Sequence, residues 1–159
     1  MSFARRVLFV CTGNVCRSAM AEQLLRRLAA VRGLGLETRS CGTAAESYFE
    51  VPPVVSRLLA SRGVPPFAHT ARLVTRESLR WADLVLAMTA AHVEHLVEKY
   101  PEFGDKVRLL REQAGFGEQD VADPMGRPDE AFAACLSSIE ESIEALIRNG
   151  FMPPAPEMR

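Results

Sequence analysis

The stretch Val7-Leu8-Phe9-Val10-Cys11-Thr12-Gly13-Asn14-Val15-Cys16-Arg17-Ser18 decides the fold. Its first half is a continuous apolar run of the kind buried on both faces of a parallel sheet. The run ends at Cys11, a short loop with Gly13 and Asn14 follows, and Arg17-Ser18 opens a helical pattern. With Ser18 at the start of a helix, the loop N–H groups and the positive helix end converge on one point above Cys11. The planar fork of Arg17 suits two oxygens of a phosphoryl group, which a lysine cannot grip in that way. A cation and a helix terminus also favour a thiolate over a thiol. Cysteines that merely end a buried strand are common. Here the turn residues and the strand-to-helix context select the other reading, an anion cradle with a nucleophile at its base.

Working outward, residues 18–33 carry Met20, Leu24, Leu25, Leu28 and Val31 at helical spacing, and Gly33 and Gly35 stop the helix. Residues 36–43 form a second strand, so the first forty residues make a right-handed βαβ unit. A loop with Tyr48 and Phe49 leads to a short helix over 54–62, ended by Gly63. One or two helical turns are predicted over 75–82 and a third strand over 83–88. Thr89 then caps a helix over 90–100, and a fourth strand covers 106–110. Residues 111–127 form a polar, glycine-containing stretch, and Pro128 opens the last helix, with Phe132, Leu136, Ile139 and Ile143 toward the core. The prediction is one doubly wound α/β domain over residues 1–150, a four-stranded parallel sheet with helices on both faces. Residues 151–159, with three prolines, form a flexible tail. In such a fold the ligand site lies at the carboxyl ends of the strands, where Cys11 sits.

Composition narrows the classes. A chain of 159 residues with 48% apolar content supports one core, and a formal net charge of −1 makes no electrostatic case for nucleic acid or an anionic membrane. The first apolar run is too short for a secretory signal, and none approaches a membrane span. Four cysteines at 11, 16, 41 and 135 are too scattered for a disulfide framework, so the chain is expected in the cytoplasm with free thiols. Cys41 and Cys135 read as core thiols. His92 and His95, three apart on a helix, have no third ligand in view and read as a solvated or packing pair. No metal or other cofactor is expected.

Transfer of a phosphoryl group to a thiolate needs a proton donor for the leaving group. Asp123, in Val121-Ala122-Asp123-Pro124, is the candidate, an ordinary Asx-Pro turn being the other reading. Together, residues 10–18, Met20-Ala21-Glu22 and the distant Asp123-Pro124 resemble the low-molecular-weight protein tyrosine phosphatase family over essentially the whole chain, to about Gly150. The resemblance implies a flavodoxin-like sheet and a phosphate-binding loop made of Thr12, Gly13, Asn14, Val15, Cys16, Arg17 and Ser18. It implies that Cys11 forms a phosphocysteine, that Arg17 binds the phosphoryl oxygens, and that Asp123 protonates the leaving group and later activates water. Ser18 would hydrogen-bond the Cys11 sulfur, and Asn14, buttressed by His69, would brace the loop. Cys16 matches the family's second thiol, which traps oxidised Cys11 as a reversible disulfide. The implied partner is a phosphorylated protein, with phosphate or a similar oxyanion in the loop, and the chain is expected as a monomer or weak homodimer.

Two departures bear on substrate. Met125 follows Asp123-Pro124 where the family usually has an aromatic wall. Tyr48 and Phe49 fall in the loop that elsewhere supplies the opposite wall, and they either flank the substrate slot or cap the core edge. Residues 86–89 and 120–126 resemble the bacterial branch that includes protein arginine phosphatases, an activity associated with threonine at mid-loop, where this chain has Val15. Valine keeps the shape without the hydroxyl, so phosphotyrosine is the expected substrate and phosphoarginine the alternative. Arsenate reduction is remoter, because residues 83–92 lack the cysteines that relay a disulfide in that branch. A phosphate-binding module without turnover is the last alternative, and the set Cys11, Arg17, Asp123 argues against it.

Overall fold

The computed structural model describes residues 4–150; the expected tail over 151–159 lies outside the described residues. Strand β1 (Arg6–Cys11) pairs in parallel with β2 (Glu37–Gly42) on one side and with β3 (Leu84–Ala87) on the other. Strand β4 (Val107–Leu109) extends the sheet beyond β3, giving the order β2-β1-β3-β4 with every pair parallel. The direction of winding reverses at β1, which places the carboxyl end of that strand at the crevice where doubly wound sheets bind ligands.

The alternation of side chains along β1 divides the core. Val7, Phe9 and Cys11 enter the larger cluster with Leu84 and Leu86. The opposite side of that cluster is built from helices α1 (Arg17–Arg32), α2 (Pro53–Ala60) and the long C-terminal helix over Asp129–Arg148, through Met20, Leu59 and Leu136 among others. Leu8, Val10 and Val85 face the second cluster, completed by Leu79 of α3 (Arg76–Trp81) and Leu96 of α4 (Ala90–Lys99). No helix among the described residues is long and apolar enough to cross a membrane.

The structure departs from the sequence-based expectation at the fourth strand and along α1. A 3-10 helix over Pro101–Lys106 delays the fourth strand, and Leu110, expected at its end, instead begins a short helix α5 (Leu110–Gln113). The stretch 111–127 is thus helical at its start. The signal was thin: Leu109 and Leu110 are both buried, and only one of them belongs to the sheet. Val31, expected on the core face of α1, is 63% exposed. The first half of α1 buries Arg17, Ser18, Glu22 and Gln23 instead, so its buried stripe is partly polar and the apolar period misleads at its far end.

Sheet and loop meet most closely at Gly42. Thr43 N–H bonds Cys11 O at 2.9 Å, and Ala44 N–H bonds Thr12 O at 3.0 Å. A Cβ on Gly42 would lie 2.3 Å from Thr12 O, a backbone atom that cannot swing aside. Replacement Gly42→Ala is therefore expected to cost about 1–3 kcal/mol, as overpacking does, and to lower Tm by several degrees. An unchanged thermal midpoint would show that the loop has room the structure does not reveal.

Candidate active site

Cys11 ends β1, and the next five residues turn the chain back so that α1 starts at Arg17. Cys16, at the N-cap, offers no side-chain acceptor to the first turn, so the N–H groups there are open to a ligand. One of them is already turned inward, with Ser18 N–H 3.4 Å from Cys11 Sγ. Ser18 Oγ lies 2.9 Å from the same sulfur. Because Ser18 Oγ accepts from Asn14 Nδ2 at 2.8 Å, its own hydrogen is left to point at Sγ.

Asn14 is the only non-glycine with positive φ among the described residues, at 60°. Its side chain is completely buried and fully bonded. Nδ2 donates to Ser18 Oγ and to Ser40 Oγ, each at 2.8 Å, and Oδ1 accepts from Arg72 N–H at 2.9 Å. His69 Nε2 lies 2.6 Å from Asn14 O, and a carbonyl only accepts, so the hydrogen sits on Nε2. Behind this group, Ser40 Oγ donates to Glu22 Oε1 at 2.5 Å, and Arg26 binds Glu22 Oε2 at 2.5 Å. The expected roles of Ser18, Asn14 and His69 thus fall on residues that are in contact. Glu22, quoted above only as part of the family motif, belongs to the same network, as do Ser40 and Arg72, to which no sequence pattern points.

Arg17 is 5% exposed and lies across the loop from the acid candidate. Nη1 donates to Val121 O at 3.0 Å, and Nη2 is 3.8 Å from Asp123 Oδ2. The Asp123 side chain is half-exposed, and its Oδ1 accepts from Met125 N–H at 3.1 Å, an Asx turn that aims the carboxylate. Val121 N–H bonds Met88 O, so the acid loop is also anchored to the end of β3.

The expected walls separate. Phe49 sits against the loop, 3.6 Å from where a Cβ on Gly13 would be, and packs with Val15, Ala45 and Ala71. Tyr48 meets Phe49 edge to face at 5.1 Å between centroids and is otherwise exposed. Met125 is exposed beside Asp123 and is not part of the cluster that holds Phe49. Phe49 thus closes a small core at the edge of the loop.

All four cysteines are buried and unpaired. Burial pushes the Cys41 thiol up to about 12, helped by nearby Cys11. The Cys16 thiol is held well above its ordinary value, first by hydrogen bonding with Cys135 and then by burial. His92, read as one of a solvated or packing pair, is 6% exposed and reaches the loop itself. Its Nε2 is 2.8 Å from Thr12 Oγ1, and its Nδ1 is 3.0 Å from Thr89 Oγ1. Burial, and then the Arg17 guanidinium, lower its pKa to about 4. The sequence signal available was the position of His92 in the first turn after the capping Thr89, which turns its ring toward the strand ends.

A buried guanidinium, open helix N–H groups, a sulfur in a hydrogen-bonded turn and a half-exposed carboxylate form a centre for attack on a tetrahedral oxyanion. Comparisons with known proteins agree. The family model for low molecular weight phosphotyrosine protein phosphatase matches residues 6–150. A protein-arginine-phosphatase of Geobacillus stearothermophilus is 37% identical over 141 residues, covering 89% of this chain and 93% of the relative. A low molecular weight protein-tyrosine-phosphatase of Streptomyces coelicolor is 38% identical over 151 residues, covering 89% and 91%. The crystal structure of the low molecular weight protein tyrosine phosphatase from T. tengcongensis superposes with a TM-score of 0.86 at 38% identity, covering 93% of this chain and 99% of that one. The chain belongs to the low molecular weight phosphotyrosine protein phosphatase family and is a cysteine-dependent protein phosphatase.

Proposed function

We propose that the chain hydrolyses phosphotyrosine in proteins, and small aryl phosphates as surrogates, through a phosphocysteine at Cys11. The observation that carries the choice of substrate is the apolar face formed by Val15 and Phe49 beside Gly13, with Tyr48 standing on Phe49. An aryl ring gains fully from burial against such a face, whereas a guanidinium gives up more hydration there in return for a stacking contact. Cys11 Sγ attacks phosphorus while Arg17 and the loop N–H groups hold the equatorial oxygens, and the bond to the tyrosine oxygen breaks. Asp123 gives that oxygen its proton, then takes one from the water that cleaves the S–P bond and releases phosphate. Ser18 steadies the sulfur in both steps. Asn14 and His69 hold the loop in its strained turn, and Met125 is a pliable element at the slot.

Phosphoarginine is the second reading, supported by the name of the Geobacillus stearothermophilus relative and its 37% identity. A thiol nucleophile and four unpaired cysteines suit a reducing compartment, which supports the cytoplasm as the site of action, with the chain as a monomer or weak homodimer.

Cys16 protects the nucleophile in this scheme. Peroxide converts Cys11 to a sulfenic acid, the Cys16 sulfur attacks that sulfur, water leaves, and the resulting disulfide is reopened by a reducing thiol. After a peroxide pulse, dithiothreitol should restore activity in the wild type and much less of it in Cys16→Ala. Equal recovery would remove Cys16 from the redox role.

Substitution Cys11→Ser should reduce turnover of p-nitrophenyl phosphate by about 10³-fold or more. Asp123→Asn should slow poor leaving groups by about 10²-fold or more while sparing activated aryl phosphates, as loss of a general acid does. Equal slowing across leaving groups would take Asp123 out of the acid role. In a side-by-side assay, kcat/KM should be higher on a phosphotyrosine peptide than on the matched phosphoarginine peptide. The reverse order would establish the second reading.

A further inference from the structure

His92 is a buried imidazole, far along the chain from the loop, that the scheme above does not use. Its ring is fixed at both nitrogens, by Thr12 Oγ1 at 2.8 Å and Thr89 Oγ1 at 3.0 Å. Thr12 is the residue that follows the nucleophile, and unlike the rest of the cradle it is exposed. The Thr89 hydroxyl oxygen already accepts from His92 N–H at 3.2 Å as the helix cap. Its single hydrogen is best used on Nδ1, which leaves the hydrogen of a neutral imidazole on Nε2, directed at Thr12 Oγ1. The charged groups facing the ring are Arg17, Asp120, Asp123 and His95, and burial together with Arg17 keeps it uncharged at neutral pH. With one lone pair of Thr12 Oγ1 occupied by His92, the hydroxyl hydrogen of Thr12 is turned away from the ring, toward the open side of the loop.

We propose that Thr12 Oγ1 is a substrate contact at the mouth of the cradle and that His92 is the positioning residue that orients it. The contact is a hydroxyl donor, and the atom it suits is the bridging oxygen of an O-linked phosphate ester. The linking nitrogen of phosphoarginine carries a hydrogen and shares its lone pair with the guanidinium, so it makes a poor acceptor. The pair therefore supplies a polar preference for O-linked phosphate next to the apolar face of Val15 and Phe49. This rests on the phosphotyrosine reading and adds to it a residue outside the cradle.

The closing experiment is a double-mutant cycle on Thr12→Val and His92→Leu, with the Ki of inorganic phosphate measured beside kcat/KM on phosphotyrosine and phosphoarginine peptides. Each single variant is expected to lower kcat/KM on the phosphotyrosine peptide about tenfold, the scale of one hydrogen bond. Phosphate Ki should hold steady, and His92→Leu should add little once Thr12 is valine. The phosphoarginine peptide should lose less, and His92→Gln, whose amide can donate to Thr12, should recover part of the loss. Should His92→Leu fail to fold, His92→Phe, which also removes both ring nitrogens, and Thr12→Val, at an exposed position, complete the cycle. Additive losses would overturn the proposal, as would phosphate Ki weakening in step with kcat/KM, because the pair would then be bracing the cradle itself. A wild type that prefers phosphoarginine would sink the phosphotyrosine reading and the O-linked preference. Coupling between Thr12 and His92 on that peptide, with phosphate Ki unmoved, would still support the pair as a substrate contact.

Discussion

The site depends on one residue held where its backbone would not otherwise go. Asn14 stands at φ 60°, a left-handed conformation that costs a non-glycine residue about 1–2 kcal/mol. Four hydrogen bonds to Ser18, Ser40, Arg72 and His69 offset that cost, each contributing about 0.5–1.5 kcal/mol net. Asparagine suits the position because its short amide has both donor and acceptor capacity and tolerates the turn. Glycine would adopt the angle more easily and leave Ser18 without the donor that orients it. The strain is thus tied to the placement of the group facing the nucleophile.

The bonds at Asn14 need their own support, and this explains the unusual first half of α1. Glu22 is 8% exposed, a position where a carboxylate must be paired. Arg26 and Ser40 provide the pairing, and His69 stands 4.0 Å away. The front of the cradle is tied in a different way. Arg17 reaches Val121 O, Val121 N–H returns to Met88 O, and Asp120 Oδ1 accepts from Ala90 N–H at the start of α4. Cys11 and Asp123, far apart in sequence, are thereby registered against the same two strand ends. Arg17 serves as a structural strut through one nitrogen while its other terminal nitrogen faces Asp123.

Much of this was legible because local pattern and global fold agree at β1 and its loop. A buried strand, turn residues and a helix start leave few alternatives once Cys11 and Arg17 are placed. Ser18, Asn14 and His69 followed from the resemblance, and the structure brings the three into contact. What escaped depends on contacts between distant elements. His92 reads as one of a solvated or packing pair, and its place against Thr12 is set only when β3 and α4 come together. Leu110 reads as strand because a run of buried leucines has no period of its own, and only the edge of the sheet ends the strand at Leu109. Val31 misleads for the opposite reason. The buried face of α1 is chosen by polar partners as well as by the core, so an apolar residue on the helical stripe is left in water.

The distribution of protons around the cradle follows from the same geometry. Cys16 and Cys41 lie near Cys11, and both are held above the ordinary thiol range, Cys16 by its hydrogen bond with Cys135 and then burial, Cys41 by burial. His92 lies near Arg17, and burial with that cation holds it uncharged. Each of these neighbours is therefore uncharged at neutral pH, and none of them brings a negative charge to the Arg17 guanidinium. Of the carboxylates, Glu22 is occupied by Arg26 and Ser40, and Asp120 is occupied by the helix N–H of Ala90. Asp123 differs in what it faces: it is half-exposed, with one oxygen bonded to Met125 N–H and the other 3.8 Å from Arg17. The acid of the proposed scheme needs an oxygen that the fold has not already bound and that faces the cradle, and Asp123 Oδ2, 3.8 Å from Arg17 Nη2, meets both conditions.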